Sequence, residues 1–263
     1  MFTRLMLALA LAAGPPHFGL SQSRSVEPDE PTRTAASSSA SVFAVGERLT
    51  YDVSWRDFIV AGELTLEVKE RTSVGGRDSY HVTAVAESVG LGALVYKVND
   101  RYDSFIDAAT LKPFRAEKHS RRGKKSKTTA VIMDQQGRVA QLTDGRPIDI
   151  PADTHDLAGL MYAIRTIDLR PGASHAFTLL EDEKLYSILV EPERREKVQT
   201  RAGTFEAVKV SVRVVENGKS NDKARLRLYV TNDARRWPVL LTADPKWGEV
   251  HVELTSATGG LKK

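Results

Sequence analysis

The chain has 263 residues with 41% hydrophobic and 27% charged side chains, 18 glycines and 11 prolines, which excludes collagen-like and wholly disordered classes. The absence of cysteine excludes disulfide scaffolds, thiolate-held zinc, thiol catalysis and an N-terminal lipid-modified cysteine. The 38 basic residues nearly balance 34 acidic ones, and a net charge of +4 is too weak a field to argue for nucleic acid.

Residues 1–22 read as a secretory signal: Arg4 precedes an apolar run from Leu5 to Ala13, and Gly14, Pro15 and Pro16 then break any helix. That run falls well short of the roughly 20 residues that span a bilayer, and no later stretch approaches that length. The expectation is a periplasmic protein, cleaved near Ala12–Gly14 or Ser21, with no transmembrane segment and no lipid anchor. Export also argues against a nucleic-acid partner. Residues 23–41 have almost no large apolar side chain to offset their ordering entropy, and so read as a disordered linker. Residues 42–258 read as a single domain and 259–263 as a flexible tail.

From residue 42 onward the dominant period is two. Leu49, Tyr51, Val53 and Trp55 alternate with Thr50, Asp52 and Ser54. The same pattern recurs in Leu64, Leu66 and Val68, in Val208 to Val214, and in Val250, Val252 and Leu254. Strands with one wet face belong to antiparallel sheets. Turn signals at Gly75-Gly76, Gly123, Gln136-Gly137, Asp144-Gly145 and Asn217-Gly218 separate about a dozen such strands. So many strands curl or split, so the expected fold is mainly β: a curved antiparallel sheet, open barrel or two-layer β-domain. One segment differs. Leu157, Leu160, Met161, Ile164 and Ile167 carry helical spacing, which predicts an amphipathic helix over 153–167, capped by Asp153 or Thr154 and packed on the sheet.

Four segments carry a family resemblance: Val45 to Val68, Asp156 to Gly172, Val198 to Val212 and Tyr229 to Leu241. Together, in this order, they resemble the DUF3108 family of exported bacterial proteins over residues 45–255. The resemblance implies a curved β-domain with a helix on it, similar in outline to LolA/LolB-type periplasmic lipoprotein carriers. It brings no catalytic residues.

The residues supply no catalytic signature either. There is no GxSxG elbow and no HExxH, and Gly90-Leu91-Gly92 lacks the third glycine of a phosphate cradle. Asp153, His155 and Asp156 suit a helix start better than a metal site, and the six histidines are scattered singly. Carboxylate pairs such as Asp52 with Asp57 or Glu63 with Glu67 fit a solvated strand face, which leaves a carboxylate-dependent hydrolase as a distant reading. No enzyme activity, cofactor or metal is expected. Two readings from different classes stand. In the first, a hydrophobic or amphipathic ligand, such as a lipid or a lipoprotein-like molecule, occupies the hollow of the sheet, with Tyr51, Trp55, Trp237 and Trp247 as candidate binding residues. In the second, a structural or interaction protein docks on a partner or an anionic envelope surface through a basic hairpin. The candidate docking residues are Lys118, Arg121, Arg122, Lys124, Lys125 and Lys127 around Gly123.

Overall fold

The computed structural model describes residues 44–55, 59–216, 219–220, 224–245 and 248–259. The expected signal segment, the linker, Asn217-Gly218, Trp247 and the last four residues lie outside them. Sixteen strands run in chain order. The first half contains β1 (Arg48–Trp55), β2 (Ile59–Val74), β3 (Arg77–Ser88), β4 (Val98–Asp107), β5 (Pro113–Arg122), β6 (Lys125–Asp134), β7 (Val139–Leu142) and β8 (Pro147–Asp149). The second contains β9 (Thr154–His155), β10 (His175–Glu181), β11 (Lys184–Thr200), β12 (Gly203–Glu216), β13 (Lys219–Ser220), β14 (Ala224–Thr231), β15 (Pro238–Pro245) and β16 (Val250–Thr258). Helix α1 (Gly90–Val95) joins β3 to β4, and α2 (Leu157–Ala163), extended by a 3-10 turn at Ile164–Thr166, follows β9.

The strands form one curved sheet that does not close, and its spatial order is nearly its sequence order read as a ring: β8 to β1, then β16, β15, β14, β12, β11, β10 and β9, with β13 paired beside β12. Every ladder is antiparallel except β9 with β10. Strand β1 sits between β2 and β16, so Tyr51 faces Leu64 and Leu254 while Val53 faces Gly62 and Val252. Register is pinned by this alternation, since a one-residue slip would turn Leu49, Tyr51 and Val53 out to water. Pro192, which can donate no ladder bond, falls where the β11–β12 register shifts.

The concave face holds the main core. Leu49, Tyr51 and Val53 of β1 meet Val208 and Val210 of β12, Val252 and Leu254 of β16, and Ala158, Leu160 and Ile164 of the helical segment. Helix α2 lies inside the curve, packed against β3, β4 and β10. It thereby bridges the two halves of the sheet where their edges fail to pair.

The mainly antiparallel, curved β fold agrees with the sequence reading, with differences of detail. Among the described residues there are sixteen strands against the dozen or so that the sequence predicts, because β8, β9 and β13 are two or three residues long and too short to show a period. The helix starts later than expected. Asp153 has a left-handed backbone (φ 70°), Thr154 and His155 pair in parallel with β10, and Asp156 is the cap, its side chain accepting from Gly159 N at 2.9 Å. A second helix, α1, was not expected at all. Its leucines point to solvent and leave no amphipathic period to read.

Candidate functional site

The interior opens at the break in the sheet. Strands β5 to β8 end on one side and β9 and β10 on the other, and side chains, not ladder bonds, hold the seam. Met133, Ala140, Ile150 and Leu180 pack across it as a small separate core. Gln135 Nε2 donates to Thr154 O and Pro113 O, each at 2.8 Å. Ser104 Oγ on β4 donates to Asp156 Oδ2 at 2.6 Å. Lys118 Nζ on β5 donates to Asp182 Oδ1 at 2.7 Å and also binds Glu181. Arg146 Nη2 reaches Glu183 at 2.9 Å.

The turn that carries these acids has an unfavourable backbone. Asp182 and Glu183 both have positive φ, 45° and 66°, a conformation that glycine or asparagine adopts more readily. Acidic residues at both positions trade backbone ease for the ion pairs to Lys118 and Arg146. Such an exchange is a mark of functional surfaces as well as structural ones.

Beneath the seam lies a cavity of about 420 Å³, within the range of small-ligand sites. Alternation along β5, β6 and β7 turns Ala116, Val131 and Leu142 to its wall, where Leu180 meets them from β10. Its polar end holds Lys118, Lys127, Thr129, Glu181 and Asp182. A second basin of about 510 Å³ continues towards the β5–β6 hairpin and is lined by Tyr96, Ser120, Arg122, Lys125 and Lys127. The cavity has an aliphatic wall and a charged border rich in carboxylates, Glu117, Asp144 and Glu183 among them, while the outer basin is mainly basic.

Electrostatics separates the charged groups by role. Burial opposes the Lys118 charge, but the adjacent Glu181 and Asp182 outweigh it and hold the ammonium above the usual lysine range. Arg122 forms a two-nitrogen pair with the fully buried Asp100, Nε to Oδ2 at 2.9 Å and Nη2 to Oδ2 at 2.5 Å. Burial pushes the Asp156 carboxyl upward against the hydrogen bonds from Gly159 and Ser104. Asp156 could pass for a base beside the Ser104 hydroxyl, yet its two oxygens are occupied in capping α2 and tying it to β4.

Because the Asp156 carboxyl titrates higher folded than unfolded, its contribution to stability is full below the ordinary carboxylate range and falls as pH rises through the folded value. Asp156→Asn keeps an acceptor for Gly159 and removes the charge. The stability of this variant relative to the parent, measured by urea unfolding from pH 3.5 to 7, should therefore improve as pH rises through and above the ordinary carboxylate range, and level off once the folded carboxyl is ionised. A constant difference across that interval would contradict the raised carboxyl.

The structure places the sequence-derived candidates in two groups. Tyr51 is buried, its hydroxyl donating to Pro238 O at 2.8 Å. Buried Trp237 donates from Nε1 to Glu47 at 2.8 Å under the Arg235 guanidinium, and Trp55 packs partly buried against the same core. These aromatics are brought together in packed interior. The cavity lies elsewhere. Of the six basic residues, Lys118, Arg122, Lys125 and Lys127 belong to the inner face, and the first two are bound to acids there. Arg121 projects from the opposite face, and Lys124 stands at the exposed tip. Strand parity could have shown this split, since 118, 120 and 122 share a face that 119 and 121 do not. The cavity wall was less accessible to sequence reasoning, because Ala116 and Leu180 come from different halves of the chain.

The fold can be compared with solved structures. A β-barrel-like protein of the domain of unknown function DUF1849 from Brucella abortus superposes with a TM-score of 0.58 at 12% identity, over 84% of this chain and 100% of that one. This likeness shows the fold alone. A lipoprotein candidate from Parabacteroides distasonis covers 82% of this chain and 96% of its own at 10% identity, with a TM-score of 0.39, too low to carry an argument. No curated protein matches the chain. The family profile described as a protein of unknown function, DUF3108, matches residues 50–255, nearly the whole of the described sheet, and the chain belongs to that family.

Proposed function

We propose that the protein is a non-enzymatic, exported binding protein of the cell envelope, whose seam cavity takes an amphipathic ligand. The observation that carries this reading is the cavity itself. Its apolar wall of Ala116, Val131, Leu142 and Leu180 suits an acyl chain or similar body, and Lys127, where the cavity meets the basic outer basin, suits an anionic head. The N-terminal order of a basic residue, an apolar run and small residues supports export. A sheet ring left open at one seam, with short edge strands on both sides, provides an entrance without a long unpaired edge.

The test is native mass spectrometry of protein purified from the envelope, paired with uptake of a fluorescent fatty-acid analogue. The parent should carry an amphiphile or bind the analogue. Val131→Trp, which fills the cavity from its wall, should weaken uptake at least about tenfold, with a melting temperature within a few degrees of the parent. A clean apo mass together with no uptake by the parent would instead leave a protein whose interior serves only its own packing.

A further inference from the structure

Among the described residues, large apolar side chains with high exposure are few, and three of them share α1: Leu91 is 67% exposed, Leu94 82% and Val95 73%. This display is enforced by packing. Gly92 is buried so close to β2 that a Cβ there would lie 2.1 Å from Ala61 O, and Val89 N donates to the same carbonyl at 3.1 Å. The glycine side of α1 is pinned to the sheet, and the aliphatic side faces outward. Two residues further on, Lys97 O accepts from Gly123 N at 2.8 Å at the tip of the β5–β6 hairpin, and the Tyr96 ring stands against Gly123. The apolar helix and the basic tip therefore form one rim. Lys97, Arg121, Lys124, Lys125 and Lys127 are all exposed on it, and among the described residues none of the five enters an ion pair.

We propose that this rim docks the protein on an anionic lipid bilayer. Leu91, Leu94 and Val95 enter the boundary between headgroups and acyl chains, and the five cations meet the headgroup phosphates. Unpaired cations favour negative surfaces, and projecting aliphatics favour an apolar layer directly beneath them; an anionic bilayer offers both at the required depth. The rim is separate from the aliphatic wall of the seam cavity but meets its charged border, since Lys127 lines both that cavity and its outer basin and Lys125 lines the basin, so the mouth opens beside the docking rim.

The experiment is co-sedimentation of the purified full chain with phosphatidylglycerol-containing vesicles and with pure phosphatidylcholine vesicles. Retention is expected on the anionic vesicles only, and it should be lost near 1 M salt, where the Debye length is about 3 Å. Leu91→Ser, Leu94→Ser and Val95→Ser combined should weaken retention at least about tenfold, and Lys97→Ser, Arg121→Ser and Lys124→Ser combined about a hundredfold, both with unchanged melting temperatures. Three results would overturn the proposal: no retention of the parent on anionic vesicles, equal retention of the aliphatic variant, or equal retention on the neutral vesicles. An aliphatic variant that instead dissociates a dimer in sedimentation velocity, with vesicle retention intact, would also overturn it and reassign the patch to a second copy of the chain.

Discussion

Arg165→Met should lower the unfolding free energy by about 3–5 kcal/mol, among the largest effects of any single change in the chain. Arg165 and Glu47 are each 2% exposed and joined by two hydrogen bonds, Nη1 to Oε1 at 2.6 Å and Nη2 to Oε2 at 3.0 Å. Arg165 Nη2 also donates to Arg235 O at 2.8 Å. Trp237 Nε1 completes the Glu47 shell, and the Tyr162 ring lies 5.0 Å below the guanidinium. The cluster fastens the turn after α2 to the start of β1 and the approach to β15. Removing the cation strands a carboxylate in the interior, and that cost, more than the lost attraction, dominates. Glu47→Gln combined with Arg165→Met should therefore destabilise by less than the sum of the two single changes, by about 1–3 kcal/mol. Chemical denaturation of the four proteins in the cycle measures this. Strict additivity would mean that the two groups do not act as a unit.

Val53→Asp should unfold the protein or come close to it. Val53 is fully buried between Gly62 and Val252, so the new carboxylate would face the core with no partner, at a cost of several kcal/mol. Thr50→Asp, on the partly solvated outer face of the same strand, should shift stability by no more than about 0.5 kcal/mol. Thermal melts of the two variants give the comparison. Similar melting temperatures would mean that the two faces of β1 do not differ as the structure shows.

The long strands were legible in the sequence because each has one dry face and one wet face. Leu49 to Trp55 and Val250 to Leu254 declare the period of two, and the structure pairs those two segments directly. Short elements carry too few residues for any period. The two residues of β9 and the three of β8 could not be read, though they mark both edges of the sheet. Helix α1 is illegible for the opposite reason: its apolar side chains are present but serve no core, so they carry no period of a buried face. The basic cluster was legible as the hairpin around Gly123. Its division was not, because the acids that bind Lys118 lie more than sixty positions away, at Glu181 and Asp182. The seam cavity shares that difficulty, being a product of which distant edges meet.

The ring-like strand order also governs how the molecule must be made. Arg48 at the head of β1 pairs with Thr258 near the end of the described chain, whereas each strand from β1 to β8 pairs with its neighbour in sequence. Among the ladders, the greatest sequence separation is thus that of β1 with β16. As the chain emerges N-terminus first, the meander from β1 to β8 can form by hairpin closure, but the outer edge of β1 has no partner until β16 is synthesised. For that interval the edge of β1 stands ready to pair with any other strand, which favours holding β1 unpaired until β16 is available.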